Sequence, residues 1–314
     1  MSHCVENMFY VSNEANERFV PWHGLGTPVE EAPNSKEAIK LAGLDWEVKS
    51  LPIFDSFGKE IPNFKANTRM SDESVLGIVT NRYKLVQNEE AFAFTDALIG
   101  DEVKYETAGS LKNGKVVWML AKLPETRVLD DDFEQFVCFT NAHDGTGAVR
   151  VVATPVRVVC NNTLNLALNS AKRSWSAKHV GKMDKKLDDA RETLGLAKAY
   201  MEALQKDAER LVQIKISDDK IIQTLDEMFP VNPLIDSARK VKNVEDIKNG
   251  LMKCYQMPDI ANYKGTVWGV MNAVTDFVDH SAPNRLSKNY QENNFYRILN
   301  GHSFVDDMYK RLAA

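Results

Sequence analysis

The sequence predicts an α+β fold: an antiparallel β-meander in the N-terminal half, packed with helices, and a helical C-terminal half. Three observations lead there. Apolar and polar residues alternate between turn signals through the first half of the chain. Beyond it, apolar residues recur at helical spacing among charges. Asn113-Gly114 sits between two strand-like runs, and both residues accept the positive φ that a tight hairpin needs. The change of period puts a boundary near Ser170, giving an α+β domain over residues 1–170 and a helical region over 171–314.

The elements follow in order. Ser35 is a candidate N-cap for a short helix with Ala38, Ile39 and Leu41 on its apolar side and Gly43 at its end. Trp46 to Leu51 and Phe64 to Met70 alternate and form a hairpin across Phe57-Gly58-Lys59, and Val75 to Val79 is a short apolar run. Asn88 caps a helix whose first turn holds Glu89 and Glu90, where acids favour the helix dipole. Val103 to Leu111 pairs with Val116 to Leu123, and Phe136 to Thr140 pairs with Ala148 to Val152 across the loop from Asn141 to Gly147. Asn161-Asn162-Thr163 reads as a capping cluster ahead of a helix through Leu164, Leu166 and Leu168. A long amphipathic helix is expected from Asp184 to Ile216. Helices follow from Ser217 to Met228, around Val244 to Tyr255, and from Thr266 to His280.

Composition excludes several classes. At 44% hydrophobic and 26% charged over 314 residues, the chain is neither disordered nor collagen-like, and it needs no disulfide or metal staple. A net charge of −5 excludes a chain that is basic throughout, so any nucleic-acid site must be local. Cys4, Cys138, Cys160 and Cys254 form no C-x-x-C pair, which favours reduced thiols and a cytoplasmic location over a secreted framework or zinc site. No run approaches the ~20 apolar residues of a membrane helix, so no membrane association is expected. Neither a cofactor nor a metal site is predicted.

Four segments carry candidate chemistry. Trp22 and His23 stand beside two glycines, a pattern suited to stacking on a ring or to packing an N-terminal strap on the core. His143 and Asp144 resemble acid/base equipment, yet Asp144-Gly145 is also what a hairpin turn requires. Arg157 projects from an apolar strand, ahead of Asn161, Asn162 and Thr163. It needs an anion or an internal acid, and these residues make a candidate polar pocket. Residues 172–186 gather six Lys/Arg against one acid. Lys172, Arg173, Lys178, Lys182 and Lys185 supply phosphate attraction, with Trp175 for base stacking; a solvated linker is the competing explanation. No nucleophile–His pair or paired-acid motif is present, so no catalytic residue is assigned.

The blocks Trp22–Thr27, Asn141 with His143-Asp144-Gly145, Thr154–Leu164 and Gly265–Asp276 with Asp279-His280 identify the chain as similar to the phage/plasmid-related family of domain of unknown function 932. The resemblance covers nearly the whole chain. It implies a phage, prophage or plasmid context and no settled activity. The hairpin meander followed by a helix is also similar in architecture to the core of phage single-strand annealing proteins, an analogy of fold alone. The expected function is therefore binding of single-stranded nucleic acid, as a recombination or annealing-type helper and a homo-oligomer. The alternative is a nucleotide-binding enzyme or an anti-defence binding protein with its pocket around Arg157.

Overall fold

A computed structural model describes residues 5–11, 27–29, 34–99, 104–157, 162–163, 166, 168, 172–183, 185, 193–280, 293, 296–297 and 299–313. The fold is α+β. The central sheet is built from β1 (Val5–Val11), β2 (Thr27–Val29), β6 (Lys104–Leu111), β7 (Val116–Val128), β8 (Asp131–Ala142), β9 (Val149–Arg157), β10 (Asn162–Thr163) and β11 (Ser174–Ala177). Its order is β10-β9-β8-β7-β6-β1-β2, with β11 also on β9. The meander from β6 to β9 is antiparallel throughout, while β2 joins β1 in parallel. Between β2 and β6 lie helix α1 (Ser35–Leu41), a separate antiparallel sheet of β3 (Val48–Phe54), β4 (Glu60–Arg69) and β5 (Ser74–Thr80), and helix α2 (Asn88–Ile99).

Alternation along the meander strands buries both faces of the central sheet. Val117, Met119, Ala121, Val137, Phe139 and Val151 pack beneath α1 and α2 with Ile39, Leu44 and Phe92. The intervening Trp118, Leu120, Phe136, Cys138 and Val152 face the other way, against Leu299 and Tyr296. The β6–β7 turn holds Lys112, Asn113 and Gly114 at φ of 55°, 59° and 83°, the conformation that the Asn-Gly pair predicts.

Helices α3 (Thr193–Gln213), α4 (Asp218–Met228), α5 (Ala238–Tyr255), α6 (Val267–His280) and α7 (Ser303–Leu312) form the second core. Trp268, Val270, Met271 and Val274 put α6 at its centre, and Val128 and Phe133 bring the far end of the β7–β8 hairpin into it. A Cβ on Gly269 would lie 2.3 Å from the Tyr263 carbonyl oxygen, so only glycine lets α6 meet the preceding 3-10 turn, Pro258–Tyr263, this closely.

Two local expectations are corrected. Asn34, not Ser35, caps α1: its side chain accepts from the Glu37 amide in a capping box, and the Ser35 hydroxyl is directed to Asp96. Asn162 and Thr163 do not cap a helix; they pair with Arg157 and Val156, because the open edge of β9 offers backbone partners that a two-residue return can take. The long amphipathic helix expected from Asp184 is described from Thr193 to Gln213, and its expected first turns, 186–192, lie outside the described residues.

Candidate functional site

A cavity of about 350 Å³ opens where α1, α2 and the three-stranded sheet meet. Helix α1 contributes Lys36, Ile39 and Lys40, the loop before β3 contributes Leu44, Asp45, Trp46 and Glu47, and the start of α2 contributes Gln87, Asn88 and Glu89. Its apolar floor and charged rim suit a small ligand, and the volume falls within the ~300–1,000 Å³ of small-molecule sites.

Hydrogen bonds fix these walls. The Gln87 side chain copies a strand pairing against Val48: its amide donates to the Val48 carbonyl at 2.9 Å, and its oxygen accepts from the Val48 N–H at 3.0 Å. Asn88 donates from Nδ2 to the Leu44 carbonyl at 2.7 Å, which leaves Oδ1 facing His143 Nε2 at 2.8 Å. That geometry assigns the imidazole proton to Nε2. His143 Nδ1 is then a buried lone pair with no hydrogen-bond partner among the described residues. Burial pushes the His143 pKa down to about 3, so the ring is neutral near pH 7.

Trp46 meets the His143 ring edge-on at 5.4 Å and carries the Arg69 guanidinium over its own ring at 5.4 Å. Arg69 also forks onto the Asp72 carboxylate at 2.9 and 2.6 Å, and these bonds hold that carboxyl well below the usual range. Asn67 on β4 donates to the His143 carbonyl at 2.8 Å, tying the small sheet to the β8–β9 turn. The cavity roof is tied from behind: Asp96 of α2 accepts from the Ser35 hydroxyl and, at 2.6 Å, from the Tyr105 hydroxyl.

The sequence-predicted residues divide. His143 and Asp144 do not converge: His143 is held by Asn88, whereas the Asp144 carboxylate accepts from the Thr146 amide and hydroxyl at 2.8 Å each. Asp144 therefore shapes its own turn, and a neutral, enclosed His143 is no proton shuttle near neutral pH. Arg173 donates to the carbonyls of Ala153 (3.3 Å) and Leu299 (3.0 Å), and Trp175 on β11 packs into the sheet core. Both serve the fold. Lys172, Lys178, Lys182 and Lys185 stand exposed. Arg157 lies on β9, paired with Asn162 of β10, but the side chains of Arg157, Asn162 and Thr163, like Trp22, His23 and Asn161 entirely, are outside the described residues.

One contact joins the basic segment to the cavity. The Lys84 amide donates to the His179 carbonyl at 2.7 Å, and His179 Nδ1 lies 3.0 Å from the Lys84 carbonyl. Tyr83 stacks on the His179 ring at 4.6 Å and 15°, and donates its hydroxyl to the Ala142 carbonyl at 2.6 Å. Exposed Lys178 and Lys182 lie one and three residues from His179 in the chain, and the segment that His179 clasps carries exposed Arg82 and Lys84. From Lys84 that segment reaches Asn88 in four residues, at most ~14 Å of chain. Sequence reading missed Lys36, Lys40, Trp46, Arg69 and Asn88 as site residues, since a helix start or a strand start accounts locally for most of them. Among the described residues, no group of three or more His, Cys, Asp or Glu is placed to hold a metal ion.

Fold and site together define an α+β protein with a cavity between α1, the start of α2 and the loop before β3, with Trp46 in its wall. The chain belongs to the family DUF932, a domain of unknown function, whose model matches residues 75–299. No curated protein and no solved structure matches it. No helix of the described residues is long and apolar enough to cross a membrane.

Proposed function

We propose that this chain binds single-stranded nucleic acid, guiding the backbone past Lys178, Lys182 and Lys84 and taking one unstacked nucleotide into the cavity beside Trp46. The observation that carries this is the Tyr83-Lys84/His179 clasp, which lays exposed lysines along a segment ending in the cavity wall at Gln87 and Asn88. Lysines supply sequence-independent phosphate attraction, and an aromatic wall supplies stacking. Lys36 and Lys40 line the α1 side of the cavity and would meet the phosphate of the inserted nucleotide. Self-association fits the exposed outer face of the small sheet, where Leu51, Phe64, Val75 and Ile78 are 38–54% accessible. The phage or plasmid setting suggested by the sequence blocks is the context in which an annealing-type helper would act.

Binding measured over a range of salt tests the reading. Single-strand affinity should fall by about 0.7 log units per log unit of salt for each phosphate contacted. The double replacement Lys178→Glu, Lys182→Glu should weaken binding and flatten the slope. An unchanged slope and affinity in this folded double variant would remove the segment from the interface. Affinity for mononucleotides alone, with none for strands, would favour a nucleotide-binding protein instead.

A further inference from the structure

We propose that two copies of this chain associate about a two-fold axis through the outer face of the small sheet, each seating its Val75 and Ile78 in the other's groove over Ala66 and Thr68. This deepens the self-association named above and does not require that strands bind. Eight of the fourteen exposed large apolar side chains among the described residues fall between Leu51 and Ile78, within this one sheet and its turns. At ~200 Å² for a fully exposed side chain of this size, they present roughly 800 Å². That is about what one partner contributes to a standard interface, and more than the ~300–600 Å² patch of an ordinary monomer.

The strand register gives the face its shape. Leu51, Ala66 and Ile78 lie side by side across β3, β4 and β5, and Lys49, Thr68 and Val75 form the next row. Paired residues share a face, so these rows lie opposite Ser50, Asn67 and Gly77, the row that docks on the β8–β9 turn. Ala66 and Thr68 are 6% accessible, whereas Val75 and Ile78 are 54%. The middle strand is thus the floor of a groove and β5 a ridge, and a two-fold axis sets ridge into groove on both sides. Packing face to face is favoured over strand addition at β3, whose edge is closed: Gln87 occupies the Val48 N–H and carbonyl, and Pro52, four residues on and facing the same way, has no N–H. At the hairpin end, Asp55 Oδ1 accepts from the Phe57 and Lys59 amides at 2.9 Å each, an ordered turn that leaves Phe57 93% accessible. This end carries Asp55 and Glu60 against Lys59 and Lys65, a balance that suits pairing with itself and gives no net attraction to phosphate or an anionic lipid surface.

Sedimentation velocity of the full chain, free of nucleic acid, over about 1–100 μM tests the proposal. The wild type should reach twice the mass of one chain and grow no further. The double variant Val75→Lys, Ile78→Lys, changed only at exposed positions, should keep its melting temperature and stay monomeric. Ala66→Ile adds apolar surface but fills the groove, so it should weaken dimerisation by about tenfold, where a non-specific apolar patch would associate more tightly. A wild type monomeric throughout, growth beyond two copies, or a double variant that dimerises like the wild type overturns the proposal, and so does Ala66→Ile that associates as well as the wild type. Strand binding is read separately in the salt series. A monomeric wild type that binds strands removes this interface alone, and a dimer that binds none removes the nucleic-acid reading alone.

Discussion

His143 couples the cavity wall to acid stability, and the size of that coupling follows from its burial. In the folded chain burial lowers its pKa to about 3, against 6.5 for the ordinary imidazole. The folded state thus binds fewer protons than the unfolded state between these two values, so the neutral ring's contribution is intact above pH 6.5 and is lost as pH falls toward 3. At two pH units below the unfolded value the loss is about 3 kcal/mol, from ~1.36 kcal/mol per unit. Urea unfolding of the wild type and of His143→Gln, near neutral pH and at about pH 4.5, isolates this contribution. Glutamine keeps an amide donor for Asn88 but does not titrate, and the carboxylates common to both proteins cancel in the difference. The wild type should lose about 3 kcal/mol more than the variant on acidification. Parallel losses would refute a neutral, buried His143.

Gly77→Ala should destabilise the chain by about 2–3 kcal/mol in the same assay, because a Cβ there would lie 2.5 Å from Asp144 Cα and force the small sheet off the β8–β9 turn. A change below about 0.5 kcal/mol would show that the two sheets are not docked in this way. Arg173→Ala should cost about 2–4 kcal/mol by leaving the Ala153 and Leu299 carbonyls unsatisfied, with strand affinity of the folded variant nearly unchanged. A large loss of affinity with stability retained would return Arg173 to the phosphate contacts.

What was legible in the sequence was what local chemistry decides. Asn113-Gly114 places the β6–β7 turn because positive φ is a property of those residues, and Ser217 caps α4 by accepting from the Lys220 amide. The site was not legible, because its parts meet only in three dimensions: Asn88 and His143 are 55 positions apart, and Asn67 reaches the His143 carbonyl across 76. Asn88 has a sufficient local reason to stand at a helix start, and nothing in its neighbourhood announces an imidazole. The basic segment shows the opposite error. Its composition suggests a binding surface, yet Ser174-Trp175-Ser176-Ala177 alternates as a strand, with Ala177 buried and Trp175 turned to the same core. Composition counts side chains without their directions, so it groups Trp175 and Arg173 with the surface lysines and passes over Trp46 at a strand start.

Photo-crosslinking tests the central claim most directly. A single strand carrying 5-iodocytosine, which couples to aromatic rings stacked against it, is irradiated in complex with the protein and the modified peptide is sequenced by mass spectrometry. The predicted crosslink is at Trp46, with yield lost in Trp46→Phe by a smaller margin than in Trp46→Ala. Efficient binding with crosslinks only at residues away from Trp46 and the Tyr83–Asn88 segment would contradict the claim that the cavity takes the base.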